Sequence, residues 1–239
     1  MLRIIDARTG EPVAPYAARR APTRVEAHVP GADLTGLRVL LAADVLVRAL
    51  ELGGTPVWCV LSGADRAQEL RAAAASLGIR PFEDRRGADA GPVERQVVHV
   101  AAEGHGTPDG VRLAVAAVEP PGIVPGPDPA ALRLALLSGS RTVPLRLDGT
   151  AVAEAGDTLA RWRSAVAAWA RQPSRPVPED VRARLADAWE DDLDVPAVLD
   201  VLREVESRAD LPDGARFETY AYADRLLGLE LVRDVGASG

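Results

Sequence analysis

The sequence predicts an α/β protein: a small doubly wound parallel sheet followed by an α-helical bundle. Three observations predict it. Strand-like apolar runs alternate with helical periodicity over residues 1–119, and a proline-rich stretch interrupts the chain at 120–129. From 130 to 239 the apolar residues recur mainly at spacings of three and four.

Residues 2–6 and 24–29 read as strands, the second ended by Pro30-Gly31. Asp33 or Thr35 then supplies an N-cap for a helix running to about Leu52, with Leu37, Leu40, Leu41, Val45 and Leu52 on its apolar side. Gly53-Gly54 stops that helix. Residues 56–61 form a fully apolar run, as a buried parallel strand requires. A helix over about 64–77 closes at Gly78, and strand-like runs at 96–102 and 111–118 flank a turn from Gly104 to Gly110. The order strand–helix–strand–helix–strand gives the doubly wound sheet.

Five prolines between Pro120 and Pro129 exclude both a helix and a central strand, so 120–129 reads as a linker. Five helices follow. The first begins over Leu132–Leu137, the second carries Leu159, Trp162, Val166 and Trp169, and the third carries Val181, Leu185 and Trp189. Asp194 with Pro196 opens the fourth, containing Leu199, Leu202 and Val205, while Phe217, Tyr220, Leu227 and Leu231 outline the fifth. Short connections make these a bundle.

Composition narrows the function. The 239 residues are 47% hydrophobic, and no apolar run approaches the length of a membrane span, so a soluble cytoplasmic protein is expected. The start, Met1-Leu2-Arg3-Ile4-Ile5-Asp6, is too short in its apolar run and too early in its acid for a signal peptide. One cysteine, Cys59, excludes an internal disulfide framework and a multi-cysteine metal site. The net charge of −7 opposes binding to nucleic acid, whose affinity comes from clustered cations. No lysine occurs: all 28 basic residues are arginine. Chemistry that needs a lysine amine, whether a Schiff base or a phosphate-binding loop, is closed to this chain.

Three segments together resemble the cysteinyl-tRNA synthetases, of the class I aminoacyl-tRNA synthetase superfamily. Leu2-Arg3-Ile4-Ile5-Asp6-Ala7-Arg8-Thr9-Gly10 is similar to the family's opening strand and turn. From Asp33 to about Arg71, the residues Arg38, Ala43-Asp44-Val45-Leu46, Arg48 and Leu52-Gly53 resemble the helix after the class I signature. Asp128 to Gly139, continuing into Pro144-Leu145 and Asp191-Asp192-Leu193-Asp194-Val195-Pro196-Ala197, resembles the stretch after the lysine-rich loop and the family's helical motif. The resemblance implies a Rossmann-like domain over 1–119 and a synthetase-type helical domain over 130–239.

The departures from the family are chemical. Where it has His-Ile-Gly-His to cradle ATP phosphates, this chain has Asp33-Leu34-Thr35-Gly36, with a carboxylate where phosphate would sit. The proline-rich linker replaces the lysine signature, and the family's cysteine-based zinc site has only Cys59 to draw on. These losses imply a non-aminoacylating paralogue, a pseudoenzyme that binds a small molecule, a nucleotide or a protein partner. The alternative is an ATP-dependent ligase joining an amino acid such as cysteine to a small amine or carrier. No zinc is expected, ATP is disfavoured, and tRNA is not an expected partner. The aromatic residues of the helical half suggest a homodimer, or a stable complex with another protein, formed through helices between about 155 and 235.

The candidate ligand-binding crevice comprises Asp33, Thr35, Gly36, Ser62, Gly63, Asp65 and His28. Asp33, Thr35 and Gly36 stand where a class I fold binds its nucleotide, and read structurally they are a helix cap and a close-packed turn. Ser62, Gly63 and Asp65 follow a parallel strand, the end at which open α/β sheets bind ligands. His28 ends a strand at the same crevice, and imidazole is the usual acid or base near pH 7. His99 reads in the same way, as a lone strand histidine, His105 as an exposed turn, and Cys59 as a small core residue.

Overall fold

A computed structural model describes residues 1–16, 22–29, 31–63, 67–84, 96–120 and 128–236. Its centre is a five-stranded parallel sheet built from β3 (Thr23–His28), β4 (Val57–Ser62), β5 (Glu83–Asp84), β6 (Gln96–Ala102) and β7 (Val111–Val115). The order across the sheet is β5-β4-β3-β6-β7. The chain therefore steps outward from β3 in one direction, then returns to β3's other side at β6. That reversal is a topological switch point, and its carboxyl end is where such sheets open a crevice.

Alternation along the strands sorts the side chains into two faces. Val25, Ala27, Val98, Val100, Leu113 and Val115 join the core shared with α1 (Leu34–Leu52). Cys59, in register with Val25, packs against that same core. The opposite face carries Glu26, Val60, His99 and Arg112 as one row across four strands, set by their register. A second helix, α2 (Ala67–Ser76), packs on α1.

The opening segment differs from the expected sheet strand. Only Ile4–Ile5 is extended (β1), and it pairs antiparallel with Pro12–Val13 (β2) in a separate two-stranded sheet. The reason is local. The backbone carbonyl of Asp6 accepts from Thr9 N and Gly10 N, Gly10 takes a positive φ of 74°, and the chain reverses before a long strand can form. The run 111–118 also divides. β7 stops at Val115, and Val118–Glu119 (β8) pairs in parallel with Leu145–Arg146 (β9).

The helical half matches the spacing of its apolar residues. Its helices are α3 (Pro129–Leu137), α4 (Gly149–Trp169), α5 (Glu179–Glu190), α6 (Val195–Ser207) and α7 (Asp213–Leu227). Three of these helices are capped by an aspartate: Asp128, Asp148 and Asp194 accept from Ala130 N, Ala151 N and Ala197 N. The last helix ends at Leu227 because Gly228 takes the left-handed conformation, so Leu231 lies beyond it yet is buried. Trp162, Trp169 and Tyr220 meet edge to face inside the bundle, and Trp189 is buried beside Tyr222. The aromatics on which the expected homodimer drew are thus largely core residues of one chain.

The three segments that carry the resemblance converge. Arg133 of α3 is fully buried and donates to Asp44 of α1 at 2.7 Å, to the Leu227 carbonyl at 2.6 Å and to the Leu77 carbonyl at 3.1 Å. Ile5 N donates to Asp192 Oδ1 at 2.7 Å, and Arg141 also pairs with Asp192. Among the described residues no helix is long and apolar enough to cross a membrane. Most of the linker, 121–127, lies outside the described residues.

Candidate functional site at the switch point

Glu26 and His28 lie two residues apart on β3, so both point to the face opposite α1. β6 places His99 in register with Glu26, and β4 places Ser62 in register with His28. The result is a buried polar cluster with side-chain exposures of 2% for Glu26, 7% for His28 and 3% for His99. His28 Nε2 and His99 Nδ1 share a hydrogen bond of 2.9 Å. Glu26 Oε1 lies 3.9 Å from His28 Nε2, and its Oε2 lies 3.9 Å from His99 Nδ1. Ser62 Oγ donates to Glu26 Oε1 at 2.5 Å. Arg24 Nη2 stands 3.6 Å from Glu26 Oε2.

Two glycines shape this region. A Cβ on Gly110, whose φ is 148°, would lie 2.9 Å from His99 Cδ2, so only glycine lets β7 close against that ring. Gly63 follows Ser62 with a φ of 77° and turns the chain off the strand end. His105 lies in the β6–β7 connection with its ring centroid 6.4 Å from that of His28, closing the row of imidazoles.

The expected crevice separates into two parts. His28 and Ser62 are joined through Glu26, and the sequence reading missed Glu26. The detectable signal is an acid set between Val25 and Ala27, two residues before a histidine, which gives polar residues on alternate positions of an otherwise apolar strand. Asp33, Thr35 and Gly36 occupy the start of α1 and hold the fold together there. Asp33 Oδ1 caps the helix by accepting from Gly36 N at 2.7 Å. Thr35 Oγ1 accepts from Val118 N at 3.0 Å and ties α1 to β8. A Cβ on Gly36 would collide with the Gly31 carbonyl and come within 2.7 Å of Val29 Cγ1. Asp65 lies outside the described residues.

The start of α1 therefore carries its own carboxylate, which already accepts from one of the free N–H groups that would bind a phosphate. Two residues after Gly36, Arg38 is buried and donates to the carbonyls of Ala116 (2.9 Å), Ser140 (2.6 Å) and Val143 (3.0 Å). Burial lowers its guanidinium to about 10. Arg38 holds the 138–143 loop against the sheet.

A thiolate zinc centre of the synthetase type does not fit these residues. Cys59, the chain's one cysteine, lies on the α1 face of the sheet, away from His28 and His99, and burial pushes its thiol up to about 12. The polar cluster offers a different donor set, two imidazoles and one carboxylate, with ligand atoms all within 4.8 Å of one another.

Fold and site together define a class: a parallel α/β sheet with a polar cluster at its switch point, followed by a helical bundle. Over part of its length the chain is similar to curated ligases. It is 47% identical over 74 residues to the L-cysteine:1D-myo-inositol 2-amino-2-deoxy-alpha-D-glucopyranoside ligase of Parafrankia sp. (strain EAN1pec), covering 31% of this chain and 16% of that protein. It is 38% identical over 112 residues to the ligase of the same name from Streptomyces griseus subsp. griseus, covering 44% of this chain and 26% of the relative. The corresponding ligase of Segniliparus rotundus is 37% identical over 110 residues, with 44% and 25% covered. The chain thus spans about a quarter or less of the length of the curated relatives it matches. No protein-family profile matches the chain.

Proposed function

We propose that the chain acts as a cytoplasmic ligase-type protein for cysteine or a closely similar amino acid. It holds the amino acid at the switch-point crevice and serves the ATP-dependent joining of its carboxyl to an amine. The observation that carries this reading is the agreement of the relatives, which share one ligase activity in their names. The contacts of α3 with α1, through Arg133 and Asp44, and of the Asp191–Asp194 turn with Ile5 and Arg141 support it, because they tie the sheet to the bundle. With no lysine in the chain, contacts to phosphate fall to arginine, whose planar fork grips phosphate through two parallel hydrogen bonds.

One observation favours a second reading. Asp33 caps α1 where a phosphate would bind, and this suits a protein that binds the amino acid without forming an adenylate. The two readings separate in a thermal-shift experiment with L-cysteine and a cysteinyl sulfamoyl-adenosine analogue. A ligand at 100 times its Kd contributes about 2.7 kcal/mol. The ligase reading expects both compounds to raise the melting temperature, the analogue at much lower concentration. Stabilisation by cysteine alone supports the binding-only reading, and stabilisation by neither overturns both.

A further inference from the structure

We propose that Glu26, His28 and His99 form a binding site for a divalent transition-metal ion of the zinc class. The three donors come from neighbouring strands at the switch point, and their ligand atoms all lie within 4.8 Å of one another. Two imidazoles and a carboxylate suit zinc, cobalt, nickel or iron, whereas magnesium and calcium take oxygen shells.

The geometry is close to that of a bound site. The 2.9 Å hydrogen bond between His28 Nε2 and His99 Nδ1 brings two ring nitrogens together with one proton between them. A metal ion takes the place of that proton, which moves to the other nitrogen of the ring that donates it, so that both rings ligate as neutral imidazoles. Metal–nitrogen bonds of about 2.0–2.1 Å at tetrahedral angles put the two nitrogens about 3.3 Å apart. The rings then need to part by only a few tenths of an ångström. The carboxylate stands 3.9 Å from each nitrogen, on the third side of the same space.

The surroundings fix the donors as a metal site requires. The Ser62 hydroxyl holds Glu26 by a 2.5 Å hydrogen bond, and Gly110 brings β7 against the His99 ring. Among the described residues the donors number three, the count of protein ligands found at open rather than closed zinc sites. The donor set differs from a thiolate centre, and the proposal does not depend on the ligase reading.

The test uses the full chain, stripped of metal and titrated with Co²⁺ alone. The expected result is one equivalent bound, with visible absorption bands of low-coordinate cobalt that Zn²⁺ abolishes and Mg²⁺ leaves intact. His28→Asn and His99→Asn should each weaken binding by at least the roughly 10–100-fold that outer-shell changes alone cause, and His105→Asn should not. Glu26→Gln, close to isosteric, gives a third reading should a histidine variant fail to fold. Absence of cobalt bands in the wild-type chain overturns the proposal, as does undiminished binding by a folded His28→Asn/His99→Asn double variant.

Discussion

Arg133 Nη2 of α3 lies 2.7 Å from Asp44 Oδ2 of α1, and both side chains are fully buried. Arg48 donates to the same carboxylate oxygen at 2.9 Å, and Arg80 approaches the other at 3.3 Å. One aspartate thus ties the sheet domain to the bundle. Burial alone raises the Asp44 carboxyl, but Arg133 and Arg48 together outweigh it and hold the group below its ordinary value.

Asp44→Asn should therefore cost about 3–5 kcal/mol, because Arg133 stays buried without a counter-charge. Denaturant melts of both proteins measure it. A carboxylate whose folded value is depressed adds stability above its unfolded pKa of about 3.9, and that stability is lost as pH falls through the folded value. The gap between wild type and variant should be full at pH 7 and narrow below about pH 4. A gap that stayed constant down to strong acid would count against the ion pair as its source.

At the start of α1, Asp33→Ala should cost about 1 kcal/mol through the lost cap. Gly36→Ala should cost more, because its methyl meets backbone and Val29 rather than a movable side-chain tip. Equal, near-zero effects in thermal melts would show that the tetrad is not held by the fold and is free for another role.

Cys59 should resist alkylation. With its thiol pushed up to about 12 by burial, little thiolate forms at pH 8. Iodoacetamide should label the native protein on the order of a hundred-fold or more slower than the denatured chain. Comparable rates would place the thiol in contact with solvent.

Asp192 and Leu193 both take positive φ, 54° and 58°, in the turn between α5 and α6. Asp192 is held there by accepting from Ile5 N and pairing with Arg141. Asp192→Ala removes both anchors and should destabilise the protein by roughly 1–3 kcal/mol. Hydrogen exchange should then quicken at Ile5. Unchanged protection there would assign the turn's conformation to another cause.

Elements with a strong period were legible in the sequence, and contacts set by pairing were not. Residues 96–102 and the five bundle helices follow from apolar runs and from spacings of three and four. Two-residue strands such as β5, β8 and β9 carry too few residues for any period to appear. His28 was legible as a strand-end histidine. Its union with His99 and Glu26 depends on the parallel register of β3 with β6, across 71 residues of chain, which a single sequence does not encode locally. Asp33, Thr35 and Gly36 were legible as a cap and a tight turn, and hydrogen bonds and close packing now occupy them.

The most direct test of the ligase account is product formation by the purified chain. The protein is incubated with ATP, L-cysteine and 1D-myo-inositol 2-amino-2-deoxy-alpha-D-glucopyranoside, and AMP and the amide are followed together by mass spectrometry. AMP and amide should rise in step, each requiring all three substrates. Failure to form AMP above a no-protein blank, with every substrate present, would contradict it.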